Sequence, residues 1–147
     1  MFENRPINVR LFGELIRAHN HLLQRSLNKY GIYRGQHFVL FYLLEHPGTT
    51  PSEMASKFGV TKSSIGATIT RMENNELIVR KADKADGRRY RLYITDKGKE
   101  IAKECQIQVN LVQDALFSKL NTDELTKVSE IFLKMIAGLE DAENTDE

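Results

Sequence analysis

The chain has 147 residues, 41% of them hydrophobic and 28% charged, with 21 basic against 20 acidic side chains. That length predicts one domain, with at most an added oligomerising layer. A single Cys excludes an intramolecular disulfide and fits a reducing compartment, and no apolar run approaches the ~20 residues that span a bilayer.

The N-terminal "MFENRPINVR" lacks the apolar core of a signal peptide, so a cytoplasmic protein is expected. The charge is unevenly spread. Residues 55–100 hold eleven basic and six acidic side chains, whereas residues 101–147 hold four basic and ten acidic. A basic middle suggests a polyanionic partner for that segment and none for the end.

Pro6 suits the first turn of a helix. Phe12, Leu15, Ile16, His19, Leu23, Leu27 and Tyr30 then recur at three- and four-residue steps, one face of a long helix ending at Gly31. "RGQHFVLFYLLEHPG" predicts a second helix, apolar nearly all round from Phe38 to Leu44 and therefore buried, stopped by Pro47 and Gly48. "TTPSEMASKFGV" predicts a short third helix, with Thr50 as cap, Pro51 at the first position and Gly59 as stop. "TKSSIGATITRMENNEL" predicts a fourth, capped by Thr61, with Ile65, Ile69 and Met72 on its inner side.

"LIVRK" and "RYRLYIT" are β-branched and aromatic, and the second alternates by two. Asp86 and Gly87 between them are turn formers, which makes a hairpin. Thr95 then caps a long helix with Ile101, Cys105, Val109, Val112 and Leu116 on one face. "LNTDELTKV" starts a last helix, its acids placed to suit the helix dipole. Leu125, Val128, Ile131, Phe132, Met135, Ile136 and Leu139 predict its buried face. The fold class expected is mainly α with a small β-hairpin.

Residues 51–75 fit a helix-turn-helix. Ala55 is small where two helices approach, Gly59 tolerates the turn, and Val60 and Ile65 are expected to plug the space between the helices. Opposite Ile65, Ile69 and Met72 lie Ser63, Ala67, Thr70, Arg71 and Asn74, with Ser64 at the edge. This face carries no carboxylate, and Glu73 and Glu76 fall on or near the buried flank. Short or basic side chains of this kind fit a major groove, where a carboxylate would meet phosphate repulsion. Lys62 and the free N–H groups at the helix start suit a phosphate. On the hairpin, Arg88, Arg89 and Arg91 suit a narrow minor groove and its flanking phosphates. Asp86 is placed to hold the Arg88 guanidinium by a paired hydrogen bond.

The quoted segments, and above all "D-x-x-D-x-R" at Asp83, Asp86 and Arg88 followed by "L-x-I-T-x-x-G" from Leu92 to Gly98, resemble the MarR family of bacterial and archaeal transcriptional regulators. The resemblance runs from about residue 8 to residue 140. It implies an α-helical homodimer whose first and last helices interlock, each subunit carrying a winged helix. It implies a recognition helix over 62–75 and a minor-groove role for Arg88. Where the family usually places a Gly before the strand this chain has Asn75-Glu76, and a left-handed Asn is expected to end the helix there.

The organisation expected is an N-terminal dimerisation helix over 1–33, a DNA-binding domain over 34–98, and dimerisation helices with an acidic tail over 99–147. A two-fold dimer sets its recognition helices ~34 Å apart and calls for a pseudo-palindromic site in double-stranded DNA. The DNA-contacting set expected is Ser52, Lys62, Ser63, Ser64, Ala67, Thr70, Arg71, Asp86, Arg88, Arg89 and Arg91.

The resemblance also implies release by a small aromatic or amphipathic effector. His19, Tyr30, Tyr33, Arg34, His37 and Phe38 are the candidate lining, with Arg34 for a carboxylate. No metal or other cofactor is expected: the His residues of "HNH" at 19–21 point about 200° apart, and Cys105 occupies an apolar position. No nucleophile–base pair or Gly-rich phosphate loop predicts an enzyme. The competing reading is a winged-helix module for protein–protein contact without sequence-specific DNA binding.

Overall fold

The computed structural model describes residues 6–33 and 35–145. Six helices and a hairpin follow one another: α1 (Ile7–Asn28), α2 (Gln36–Glu45), α3 (Pro51–Phe58), α4 (Lys62–Asn74), β1 (Ile78–Ala82), β2 (Tyr90–Ile94), α5 (Asp96–Phe117) and α6 (Thr122–Thr145). This is the mainly α fold with a β-hairpin that the sequence predicts. Pro6 takes the cap position before α1 instead of its first turn. The chain forms two compact units, one up to Asn110 and one from Leu111.

In the first unit the core gathers one to three apolar residues from each element. Leu27, Leu40, Leu43, Met54, Ile69, Met72, Ile78, Leu92 and Cys105 are all essentially buried. Each such side chain contributes about 1.5–3 kcal/mol on leaving water. α2 is less enclosed than its composition suggests. Val39, Leu40 and Leu43 are buried, but Phe38 and Leu44 are exposed, because neighbours cover only one side of the helix.

β1 and β2 pair antiparallel, Ile78 opposite Ile94 and Ala82 opposite Tyr90. The chain before α3 adds a short third rung. The Leu92 N–H donates to the Thr49 carbonyl at 2.9 Å, and the Gly48 N–H donates to the Leu92 carbonyl at 2.9 Å. Leu92 is fully buried and Ile94 partly, whereas Tyr90 is exposed with the Arg80 guanidinium 4.7 Å over its ring. Tyr90 therefore braces the hairpin from outside instead of anchoring it from within.

The turn from α4 into β1 is built differently from expectation. Asn75 has φ −87°. Glu76 takes the left-handed conformation, with φ 60°. Thr95 stabilises this turn from the far end of the hairpin. Its hydroxyl donates to the Glu76 carbonyl at 2.6 Å and accepts from the Gly98 N–H at 2.9 Å, which caps α5. α5 can come this close only because residue 98 is Gly: a Cβ there would collide with the Leu77 carbonyl oxygen and the Ile94 side chain.

In the second unit α6 opens with a capping box. The Glu124 N–H donates to the Asn121 side chain at 3.0 Å, and the Asn121 N–H donates to the Glu124 carboxylate at 2.9 Å. The face expected to be buried is open along its length. Leu125, Ile131, Phe132, Met135, Ile136 and Leu139 are exposed, and Val128 is half-buried. Phe12, Leu15 and Ile16 of α1 are likewise exposed. No helix among the described residues is long and apolar enough to cross a membrane.

Candidate nucleic-acid interface

α3 and α4 are each set by their caps. Thr50 and Glu53 form a reciprocal capping box, the Glu53 N–H donating to the Thr50 hydroxyl at 3.2 Å and the Thr50 N–H to the Glu53 carboxylate at 2.7 Å. The backbone N–H of Thr50 holds the Glu53 carboxyl below its ordinary range. Gly59 closes α3 at φ 61°, a conformation that costs Gly little. Thr61 then caps α4 by accepting the Ser64 N–H at 3.1 Å. Ala55 and Ile65 are buried where the helices meet, but Val60 is 41% exposed and does not plug the space. The turn carries it outward.

Ile65, Ile69 and Met72 face the core, so α4 turns Lys62, Ser63, Ser64, Ala67, Thr70, Arg71 and Asn74 to the surface together. Ser52 is exposed on α3. One of these calls needs refining. The Thr70 hydroxyl accepts a hydrogen bond from Arg80 Nη2 at 3.1 Å, so it also ties α4 to β1. The same Arg80 pairs with Glu73 at 3.0 Å, which neutralises the carboxylate nearest the exposed face. Sequence reasoning missed Arg80, because its role depends on the hairpin lying beside α4.

The hairpin tip is made of two Asx turns. Asp83 accepts the Ala85 N–H at 2.8 Å, and Asp86 accepts the Arg88 N–H at 3.0 Å. Asp86 does not hold the Arg88 guanidinium. Its second oxygen lies 3.4 Å from Arg89 Nε, because a side chain already turned back onto the backbone of Arg88 reaches Arg89 instead. Among the described residues the Arg88 guanidinium has no hydrogen-bond or ion-pair partner, and it stands exposed at the tip.

Arg91 does the opposite. It donates to Asp83 at 2.6 Å and to the Gly48 carbonyl at 2.9 Å, tying the tip to the chain ahead of α3. It is a brace, not a free cation beside Arg88. The Ala85 N–H, with Arg91 beside it, holds the Asp83 carboxyl below its usual range. Lys81 lies directly opposite Arg91 across the strands, a repulsive placement that Asp83 relieves.

The candidate effector residues do not converge. Tyr30 and Tyr33 line a cleft of about 350 Å³ with Asn75, Leu77, Lys97 and Ile101. Phe38 lines a different cleft. His37 is buried, its ring 4.0 Å from Phe38 and its Nδ1 without a hydrogen-bond partner among the described residues. His19 lies on α1 against Asn20 at 3.3 Å and lines neither cleft. Arg34 lies outside the described residues. The cation of the Tyr30–Tyr33 cleft is Lys97, which pairs with Glu76 at 3.1 Å. Burial pushes the Cys105 thiol up to about 11, which keeps it protonated and inert.

Known proteins share this arrangement. The MarR family model matches residues 30–89. An HTH-type transcriptional regulator of Staphylococcus aureus strain Mu50 is 26% identical over 132 residues, spanning 84% of this chain and 90% of that protein. A crystal structure of MarR superposes with a TM-score of 0.75 at 26% identity and covers 100% of this chain and 99% of its own. A mutant MarR from E. coli, complexed with operator DNA, has the same fold, with a TM-score of 0.73 at 21% identity over 86% of this chain and 91% of its own. The chain is therefore similar to the MarR family over residues 30–89 and shares the winged helix-turn-helix fold of the solved MarR along its length.

Proposed function

We propose that the protein is a cytoplasmic homodimeric repressor that binds a pseudo-palindromic operator and leaves it on binding a small aromatic or amphipathic ligand. One observation carries the DNA reading. Among the described residues, the outward face of α4 presents hydroxyls, Ala67, Lys62 and Arg71 with no free carboxylate, and Arg88, its guanidinium unpaired, stands at the tip of the hairpin that follows. In this reading α4 enters the major groove, Lys62 and Arg89 meet phosphates, and Arg88 enters the minor groove. Ser52, Ser63, Ser64, Thr70 and Arg71 complete the contact, while Asp86 and Arg91 shape the wing that delivers Arg88. Residues 34–98 form the DNA-binding part, and 1–33 and 99–147 form the dimerisation part.

The exposed apolar faces of α1 and α6 support the dimer. The effector reading rests on the Tyr30–Tyr33 cleft, which offers two phenol rings and the Lys97 ammonium beside the turn that ends α4. The purified protein, challenged with sheared genomic DNA, is expected to retain specific fragments with a steep salt dependence. On such a fragment Arg88→Ala is expected to weaken binding about tenfold to a hundredfold and to leave the melting temperature unchanged, since the Arg88 guanidinium has no partner among the described residues and its backbone hydrogen bond to Asp86 survives the change. Unchanged affinity in a gel shift sinks the wing assignment. Recovery of a protein partner, with no DNA retained at low salt, favours the protein–protein module instead.

A further inference from the structure

The hydroxyl of Thr70 is used differently from three others on the helices. Thr68, Thr126 and Ser129 each donate to the carbonyl four residues earlier, at 3.2, 3.1 and 3.0 Å. Thr70 instead accepts, from Arg80 Nη2 at 3.1 Å, and its own proton has no acceptor among the described residues. Thr70 is also exposed on the outward face of α4. Helical spacing puts Ser63, Ala67, Thr70 and Asn74 within about 60° of one another, with Lys62 and Arg71 on the flanks. Thr70 therefore belongs to the middle of the stripe, which in the proposed docking meets base edges, while the flanks meet phosphates.

Arg80 is held on three sides. Its Nε lies 3.0 Å from the Glu73 carboxylate, Nη2 reaches Thr70, and the guanidinium sits 4.7 Å over the Tyr90 ring. A guanidinium only donates. The Thr70 oxygen thus has one lone pair taken and a cation beside it. A second donor approaching that oxygen meets the positive charge, whereas an acceptor meets a proton that the same charge polarises.

We propose that Arg80 is a positioning residue for DNA recognition: by donating to the Thr70 hydroxyl it commits the Thr70 proton to a base acceptor in the major groove. The proposal rests on the DNA reading above and adds a base preference to it. In the major groove guanine, adenine and thymine each offer an acceptor, whereas cytosine offers only its N4 donor. The base that faces Thr70 in each half-site is one of the first three, and cytosine is rejected there.

Gel shifts with the full-length protein test this on a retained genomic fragment, trimmed to its footprint, with each base pair changed in turn to the other three. At one position in each half-site the native protein is expected to bind cytosine about fivefold more weakly than the best base. Thr70→Val, which keeps the shape and loses the hydroxyl, is expected to abolish that preference, and Thr70→Ser to keep it. Arg80→Met leaves the hydroxyl free to turn and accept, so it is expected to abolish the preference too. It also frees Glu73, but the affinity lost in that way falls on all four bases alike. Should Arg80→Met melt below the assay temperature, Arg80→Lys carries the same expectation, because a single ammonium lacks the fork that holds Glu73 and Thr70 together. The proposal is overturned if no position has a cytosine preference that depends on Thr70. It is equally overturned if the Arg80 variants weaken binding to all four bases with the preference intact, in which case Arg80 only braces the hairpin. Ser63→Glu separates this failure from that of the DNA reading. Full affinity in Ser63→Glu shows that α4 is not the reading face, and both readings fall. Lost binding in Ser63→Glu beside a preference indifferent to Thr70 rejects the role of Arg80 alone.

Discussion

The winged helix and the last helix use the same apolar residue types to different ends. In the winged helix Ile65, Ile69, Met72 and Leu92 are at most 4% exposed, closed off by the chain's own elements. On α6 Leu133 is 68% exposed and Leu139 71% exposed, on a helix with its own capping box and therefore a defined start. The first region closes its own apolar core, and the second carries an exposed apolar stripe. A stripe of that length in water is the surface proposed above for association. The contrast separates the part proposed to read DNA from the part proposed to set the spacing of two readers.

The comparison breaks most sharply at α6. Ile136→Glu combined with Leu139→Glu is expected to turn a dimer into a monomer in sedimentation velocity, at micromolar protein. Operator affinity is expected to fall by more than a hundredfold, because one half-site contact is lost with its partner. A variant that remains dimeric shows that this stripe is not the association surface. Inside the closed region the largest effect is expected at Gly98. Helix propensity alone would make Gly98→Ala stabilising by about 1 kcal/mol. The added Cβ meets the Leu77 carbonyl, a backbone atom that cannot swing away. A net loss of about 3 kcal/mol is therefore expected in urea unfolding. A stabilised variant would show that α5 and the hairpin are not held as tightly as described.

Much of this was legible in the sequence, and the exceptions share a cause. Capping residues Thr50, Thr61 and Thr95 and the stop at Gly59 are local signals, and each performs the role its neighbours dictate. The inner face of α4 follows from helical spacing alone. The wing's wiring did not follow. Arg91 finds Asp83 and Gly48, the latter 43 residues away, and Arg80 finds Glu73 and Thr70. Those contacts depend on strand register and on how the hairpin lies on α4, which no local pattern encodes. The aromatic candidates fared similarly: Tyr30 and Phe38 are close in sequence but line different clefts. On α6 the apolar period was read correctly, but periodicity does not say whether the covering surface is on the same chain.

His37 offers a smaller test of the closed region. It is buried, and desolvation lowers its pKa from the ordinary 6.5. The folded state therefore resists protonation more than the unfolded state does. The stability linked to this group is fully present above about pH 6.5 and is lost as pH falls toward the lower folded pKa. Native protein is expected to lose melting temperature between pH 7.5 and 5, and His37→Leu is expected to lose less over the same interval. Parallel curves for the two proteins would show that His37 is not buried neutral.

The smallest expected effect lies inside the winged helix, at the α4–β1 turn. Glu76 holds a left-handed φ of 60°, which costs a non-Gly residue roughly 1–2 kcal/mol. Glu76→Gly removes that strain but restores backbone freedom to the unfolded chain, which offsets roughly 0.5–1 kcal/mol of the gain. It also removes the exposed pair with Lys97, worth roughly 0–1 kcal/mol. The balance is a gain of about 0.5 kcal/mol in urea unfolding, whereas Glu76→Ala, which keeps the strain and loses the pair, is expected to be destabilised. If both variants lose stability equally, the Lys97 pair outweighs the backbone and the turn is held by charge. If Gly alone gains, conformation dominates, and the hydrogen bonds that Thr95 makes to this turn are what hold an unfavourable residue in place.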